Sequence, residues 1–125
     1  MIHAPTPPAS PAAAAPPNRW RLLVDPEFLR QVDASKQTFA LGLYFKPMTF
    51  ILGNDGPLPA RTITIEFPDA KQQAEGPFAF TQIEPGHAVR FTATRRLMGD
   101  NAVRVRWFQE DPTQRYWTTL YLPYE

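Results

Sequence analysis

The sequence predicts an all-β protein: an antiparallel β-sandwich of about seven or eight strands, with one short helix near the N-terminus and an extended Pro/Ala-rich arm before it. Three observations predict this class. Apolar and polar residues alternate with a period of two along most of the chain, as in half-buried strands. Gly and Pro turn signals separate these segments at intervals of about 8 to 15 residues. Six of the fifteen prolines lie in the first 17 residues. A barrel or a jelly roll would fit the same pattern.

The chain divides into an arm, residues 1–18, and one globular domain, residues 19–125. The prolines of the arm fix φ and lack N–H donors, so they favour an extended, polyproline-like conformation. Such an arm is either a linker or a strap that becomes ordered against a neighbour. The remaining residues suffice for one domain and leave no room for a second.

Residues 20–24 are expected to open the domain as a strand, followed by a short helix. Asp25, Pro26 and Glu27 match an N-cap, a first-turn proline and a first-turn acid. Phe28, Leu29 and Val32 would share one face of that helix. The alternative interpretation is a strand edge over residues 27–33.

The later strands are predicted from their alternation, because side chains one residue apart point to opposite faces of a sheet. Proline 47 should mark a bulge, an edge or a short connection. Turns are expected at 53–57, 84–86, 98–101 and 110–114, and a polar loop at 68–77. The residues expected to face the core are, strand by strand, Phe39, Leu41, Leu43 and Phe45; Met48, Phe50 and Leu52; Ile63, Ile65 and Phe67; Phe78 and Phe80; Val89, Phe91 and Ala93; and Val103, Val105 and Trp107. Residues 115–122 return as a final strand.

Three runs, ILGNDGPLPARTITIEF, FTQIEPGHAVRFTATRR and NAVRVRWFQEDPTQRYWTTLYL, resemble the layout of bacterial and phage immunoglobulin-like β-sandwich domains over residues 49–122. In that layout a strand ends in an Asn and Gly turn, a Pro-Gly turn leads into a later strand, and a final hairpin closes the sheet. The resemblance implies an immunoglobulin-like sandwich, with a jelly roll as the alternative topology. It implies a scaffold and no particular activity, since the family includes adhesin segments, enzyme accessory modules and virion decorations. The cysteine pair of antibody domains is missing.

The residues that most catalytic and metal sites need are scarce. There is no cysteine, and the two histidines, His3 and His87, lie in the arm and after a Pro-Gly turn. Phosphate-binding and calcium-loop motifs are absent. Most of the acidic residues fall in turns, and Glu66, in a strand, should point outward. The sequence therefore predicts no enzyme activity, no cofactor and no metal.

The charge and hydropathy of the chain limit the classes of partner that it is expected to bind. A net charge of +1 creates no global field for nucleic acid, so no nucleic-acid binding is expected. No run reaches the roughly 20 apolar residues of a membrane span, and the N-terminus lacks the basic and apolar regions of a signal peptide. A soluble chain without membrane insertion is expected; the sequence assigns no compartment, and a virion and the cytoplasm are both compatible with it.

Two surfaces are candidates for partner contacts. The first is a row formed by Arg90, Arg104 and Arg106, with Arg95 and Arg96 at a strand end; it would gather on one face if the strands carrying Arg90 and Arg104 formed a hairpin. Its alternative is neutralisation within the domain by Glu66, Glu110 or Asp111. The second is aromatic, and comprises Trp107, Phe108, Tyr116, Trp117, Tyr121 and Tyr124. Its alternative is core packing from both sides of the sheet.

These surfaces favour a non-enzymatic structural module that docks on a larger assembly, with the arm as a strap. A virion decoration, a tail accessory protein or a bacterial envelope-complex subunit would suit it, and its partners would be other protein subunits, including copies of itself. The alternative is a carbohydrate-binding module that stacks sugars on exposed rings. A small enzyme or an immunity-type regulator is the third hypothesis.

Overall fold

A computed structural model of the chain describes residues 18–34, 47–96 and 99–123, with the backbone alone for 31–34. It confirms the all-β class: two four-stranded antiparallel sheets pack face to face, with one short helix. The elements in order are β1 Trp20–Val24, α1 Pro26–Ala34, β2 Pro47–Asn54, β3 Ala60–Glu66, β4 Ala74–Gly76, β5 Ala79–Ile83, β6 Ala88–Thr94, β7 Ala102–Phe108 and β8 Arg115–Tyr121.

The first sheet has the strand order β1-β2-β6-β4 and the second the order β5-β3-β7-β8. At each described connection from β2 to β7 the chain passes to the other sheet, and only β7 and β8 form a hairpin within the second sheet. Each sheet therefore contains strands distant in sequence, and the outer face of the second sheet combines residues from both halves of the domain.

The core is built by the predicted alternation. Along β7 every second side chain is buried, with Val103, Val105 and Trp107 inside. The same pattern buries Met48, Phe50 and Leu52 of β2, Ile63 and Ile65 of β3, and Phe91 and Ala93 of β6. This packing buries a large apolar surface, and each Å² of apolar surface removed from water stabilises the fold by roughly 25 cal/mol. The period-two prediction for these strands is confirmed.

Helix α1 forms where the capping residues predict it. The Oδ1 atom of Asp25 accepts a hydrogen bond of 3.0 Å from the backbone N–H of Glu27, which satisfies one of the free donors at the helix start. Phe28 and Leu29 pack against the core. The strand-edge alternative for this segment is therefore wrong.

The turn after β2 is fixed by buried asparagines. Asn54 is fully buried and its side-chain amide donates to the carbonyls of Leu58 (3.0 Å) and Ile83 (2.8 Å), while its Oδ1 accepts from Gly56 N–H at 2.8 Å. Gly56 has φ +84°, a conformation that costs glycine little and other residues more. Asn18 joins the network through its Nδ2, 3.1 Å from Asn54 Oδ1. The last residue of the predicted arm is thus part of the folded body.

Two expectations need correction. The 68–77 segment holds the short strand β4, which pairs with β6 and is too brief to show alternation. The supposed hairpin between the strands of Arg90 and Arg104 does not form, because β6 pairs with β2 and β4 while β7 pairs with β3 and β8. Between β6 and β7 the chain instead crosses from the first sheet to the second.

Some expectations concern residues outside those described. They are the arm over residues 1–17, the strand over residues 39–45, the Val32 side chain and Tyr124.

Candidate arginine–aromatic face

The outward side of β7 and β8 brings arginine and aromatic side chains together. In this hairpin Arg106 lies opposite Trp117, Phe108 opposite Arg115, and Ala102 opposite Tyr121. Directly opposite residues share a face of the sheet. The neighbouring strand β3 adds Arg61 opposite Phe108 and Glu66 opposite Arg104. We call this surface the arginine–aromatic face; it consists of Arg61, Glu66, Arg104, Arg106, Phe108, Arg115, Trp117 and Tyr121.

Two guanidinium groups of the face lie over aromatic rings. The Cζ atom of Arg104 is 5.1 Å from the centre of the Trp117 ring, and that of Arg115 is 5.2 Å from the centre of the Phe108 ring. Both distances fall within the range of cation–π attraction. Each ring restricts the arginine above it, so the two groups are partly positioned before any partner arrives.

The charge of the face is largely unneutralised. Glu66 Oε2 lies 3.1 Å from Arg106 Nε, which confirms one of the internal pairs that the sequence suggested. Among the residues that the structure describes, Arg61, Arg104 and Arg115 have no carboxylate partner. The face thus carries three more positive than negative charges, whereas the whole chain carries +1.

Arg90 is far from this face in the fold. It belongs to the first sheet, where its Nε lies 2.9 Å from Oδ2 of Asp25. Asp25 is the buried N-cap of α1, with a side chain 8% exposed. Arg90 therefore holds the start of the helix against β6, and its place in the predicted arginine row is corrected because β6 and β7 lie in different sheets.

Trp107 and Tyr116 face the core rather than solvent. Trp107 is fully buried; its ring stacks on Tyr116 at 5.9 Å between centres and meets the edge of Trp20 at 5.2 Å. Alternation requires this placement, since Trp107 and Tyr116 are register partners on the inner side of the hairpin. Both residues support the candidate face from beneath and do not contribute to its surface.

Arg95 and Arg96 also lie elsewhere, on the crossover. Arg95 is buried and its Nε donates to the Leu122 carbonyl at 3.3 Å, while Arg96 pairs with Asp69. Asn101 holds the crossover by accepting from the Arg96 N–H at 2.6 Å and donating to its carbonyl at 2.9 Å. These two arginines have structural contacts inside the domain.

Tyr121 provides the most exposed ring of the face, at 60% exposure. Trp117 and Phe108 are half-buried beneath their arginines. Of the eleven residues that the sequence placed on the two candidate surfaces, five lie together on the arginine–aromatic face: Arg104, Arg106, Phe108, Trp117 and Tyr121. Sequence reasoning missed Arg115 and Arg61. Alternation from Trp117 would have found the first, but only the pairing of β3 with β7 shows the second.

A shallow depression of about 230 Å³ borders the face at the Phe108 end. It is lined by Arg61, Thr62, Phe108, Gln109, Glu110 and Pro112. Thr62 has φ +50°, at the bulge where the register of β3 shifts. Gln109 is only 8% exposed, and neither its amide nitrogen nor its oxygen has a hydrogen-bond partner in the described part of the chain. The depression therefore combines backbone strain with an unpaired buried amide.

In the loop beside the depression, the carboxyl group of Asp111 has a lowered pKa. Asp111 Oδ1 accepts hydrogen bonds from the hydroxyl of Thr113 at 2.6 Å and from its backbone N–H at 2.8 Å. These bonds favour the charged carboxylate and hold the pKa of Asp111 below its ordinary value, with the hydroxyl contributing most.

Metal-binding side chains do not converge in the described ranges. Within residues 18–34, 47–96 and 99–123 there is no group of three or more His, Asp or Glu side chains that could hold a metal ion. His87 is exposed, and its backbone N–H closes the turn on the Glu84 carbonyl at 3.0 Å. No described helix is long and apolar enough to cross a membrane.

The chain was compared with protein-family models, curated proteins and solved structures. No family model, no curated protein and no solved structure matches the chain.

Proposed function

We propose that this protein is a non-enzymatic interaction module that docks on an acidic protein surface of a larger assembly through its arginine–aromatic face. The observation that carries the proposal is the set of three arginines without a carboxylate partner among the described residues, Arg61, Arg104 and Arg115, on one sheet face. Like charges on neighbouring strands repel one another. Carboxylates supplied by a partner would remove that repulsion and pair with the planar guanidinium groups.

The stacked arginines support a protein partner. Because Arg104 and Arg115 lie on Trp117 and Phe108, they lose less rotamer freedom when they bind, which lowers the cost of association. Arginine and aromatic side chains are also the types enriched where proteins bind each other. A partner carboxylate could bind the outer edge of each guanidinium without disturbing the ring below.

A carbohydrate-binding module is the second candidate, favoured by the 60% exposed ring of Tyr121. A sugar that stacks on a ring needs its face free. The faces of Trp117 and Phe108 are shared with guanidinium groups, so a sugar or a base would have to displace an arginine to stack there. This arrangement favours the acidic protein partner over the glycan.

The order of strands supports a scaffold role. The orders β1-β2-β6 and β3-β7-β8 correspond to the A-B-E and C-F-G strands of immunoglobulin-like sandwiches. Such sandwiches serve as rigid supports for surfaces of very different function. A virion decoration, a tail accessory protein or an envelope-complex subunit remains the proposed setting.

The arm fits the same proposal as a strap. Asn18 is anchored by hydrogen bonds with Asn54 and Leu58, at the end of the sandwich where Trp20 meets Trp107. That end also carries Phe108 and the start of β3. Residues 1–17 thus precede an anchor close to the arginine–aromatic face, from which a strap and the face could engage one partner together.

The charge requirement can be tested with a polyglutamate peptide as the probe and the fluorescence of Trp117 as the reporter. Trp107 is buried and Trp20 is half-buried against it. We expect Arg104→Gln with Arg115→Gln to weaken binding at least about tenfold, the loss of two charge-assisted contacts. The matched control is Arg21→Gln with Arg30→Gln, which removes the same charge from β1 and α1, where these arginines pair with Asp55 and Glu27.

The native partner can be identified by photo-crosslinking in an extract of the source cells. A photoreactive phenylalanine at Tyr121 should crosslink to an acidic segment of one protein, and the same group at Leu23, which is also exposed, should not. Equal loss of polyglutamate binding in both double variants would contradict the proposal. Tighter binding of a neutral glycan or of single-stranded DNA than of polyglutamate at the same ionic strength would also overturn it.

A further inference from the structure

The edge of β8 differs from the other sheet edges of the molecule. The described sheets end at β1, β4, β5 and β8. Strand β4 has three residues, and β1 and β5 have five each. Strand β8 has seven residues, RYWTTLY, without proline or glycine, and its one charged residue, Arg115, lies at the first position of the strand. Proteins usually shorten an edge or give it charge or proline, since an open edge invites another strand to pair.

The backbone of β8 presents a regular row of free groups. Leu122 N–H donates to the Asn101 carbonyl at 2.9 Å, and the register with β7 is unbroken from there to Arg115. Because antiparallel ladders alternate, Tyr116, Thr118 and Leu120 direct their N–H and C=O groups to β7. The backbone groups of the alternate residues point away from the sheet: Arg115, Trp117, Thr119 and Tyr121. Among the described strands β7 is the neighbour of β8, and none pairs on the other side.

We infer that β8 pairs antiparallel with β8 of a second copy of this chain, on a two-fold axis at Thr118. In this register Trp117 lies opposite Thr119 of the second copy, and Arg115 opposite its Tyr121. These are the residues whose backbone groups are free, so both strands form a full ladder of about eight hydrogen bonds. Thr118 meets its own equivalent in a pair without backbone hydrogen bonds.

The side chains are compatible with this register on both faces. On the outer face no like charges meet, because the arginine at position 115 lies beside a tyrosine, which a guanidinium contacts favourably. On the inner face Tyr116 lies beside Leu120 of the second copy, and the threonines pair with each other. A strand whose sequence complements itself about its own centre is what an isologous two-fold interface requires.

Pairing would join the two second sheets into one sheet of eight strands, β5-β3-β7-β8 followed by the same strands of the second copy in reverse order. Both arginine–aromatic faces then lie on the same side and form one continuous surface. The dimer would thereby double the number of arginines presented to a partner. The pairing itself does not rest on the proposed acidic partner.

A disulfide test uses the absence of cysteine from the chain. Thr118→Cys introduces a single thiol at the two-fold axis, where opposite Cα atoms of a non-hydrogen-bonded pair lie about 4.5 Å apart, within the range that a disulfide spans. We expect mild oxidation to convert most of this variant to a covalent dimer on non-reducing gels. The matched control, Thr81→Cys, places an exposed thiol on the opposite edge strand β5 and should stay largely monomeric.

A second variant tests the edge without a crosslink. Thr119→Pro removes an N–H that points away from β7, so it spares the ladder within the domain, whereas Thr119→Ala keeps that N–H. Sedimentation equilibrium of the full chain, with no partner present, should show a dimer for the parent and for Thr119→Ala and a dissociation constant at least about tenfold higher for Thr119→Pro.

Other outcomes would overturn the inference. They include a parent chain that is monomeric at about 100 μM, equal crosslinking of the Thr118→Cys and Thr81→Cys variants, and a dimer insensitive to Thr119→Pro. If residues 39–45 of the same chain covered the edge of β8, the parent chain would be monomeric at this concentration. None of these measurements involves an acidic probe, so failure here is distinguishable from failure of the proposed function.

Discussion

The asparagine network at the start of the domain yields the sharpest stability prediction. Asn54→Ala removes the side chain that, among the described residues, is the only side-chain partner of the Gly56 N–H and of the Ile83 carbonyl, at 2.8 Å each. The Leu58 carbonyl keeps its 2.7 Å bond from Asn18. Two buried backbone groups are therefore left unpaired, at about 1 to 3 kcal/mol each. We expect a loss of about 4 kcal/mol in the free energy of unfolding.

That loss is a large share of the total stability of a domain of this size, about 5 to 15 kcal/mol. The expected fall in Tm is about 15 to 30 °C. Urea unfolding followed by the fluorescence of the buried Trp107 measures the free energy directly. The m-value should stay unchanged, because the substitution alters pairing and not the extent of the core.

The control is Asn18→Ala, at the margin of the same network. It removes the 3.3 Å bond to the Leu58 N–H, but Leu58 is exposed and water can replace that bond, so about 1 kcal/mol should be lost. A cost below about 1 kcal/mol for Asn54→Ala, or a cost no larger than that of Asn18→Ala, would refute this account of the turn.

Three further predictions concern the depression and its neighbouring loop. Gln109→Met should stabilise the domain by about 1 to 2 kcal/mol in urea unfolding, since it replaces an unpaired buried amide with an apolar chain of similar length; destabilisation would mean that the amide is paired. Thr62→Gly should raise stability by about 0.5 to 1 kcal/mol, because glycine adopts φ +50° without strain, and a fall in Tm would contradict the strain at this bulge. Thr113→Val should raise the carboxyl pKa of Asp111 towards its ordinary value in an NMR titration, because it removes the hydroxyl that favours the charged form; in the parent the stability from this pairing is present above the ordinary pKa and is lost as pH falls through the lowered one.

Local sequence signals predicted the elements whose causes are local. Asp25 caps the start of α1 through a hydrogen bond from the backbone N–H of Glu27, two positions away. The turn at Gly56 needs a positive φ, which glycine adopts at little cost. Alternation assigned the faces of β7, because a pleated strand allows only one inward set of side chains. It failed for β4, which has too few residues to alternate.

The candidate site was only partly predictable. Alternation placed Arg104, Arg106 and Phe108 on one face, and the hairpin joined them to Trp117 and Tyr121. Alternation does not show which strands lie side by side. The sequence prediction therefore grouped Arg90 with arginines that belong to the other sheet. Trp107 and Tyr116 were candidates because aromatic residues serve both cores and interfaces, and only the register shows that they stack inside.

The sequence by itself determined an all-β domain after a proline-rich segment, the position of its helix and turns, and the inward or outward direction of most strand residues. These follow from contacts over a few residues, where backbone geometry and hydrophobic periodicity act. Only the tertiary structure decided the strand order, which placed Arg61 beside Phe108 and turned Arg90 towards Asp25. The pairing of distant strands depends on how two whole sheets pack and bury their inner faces together, and no local pattern in the chain contains that information.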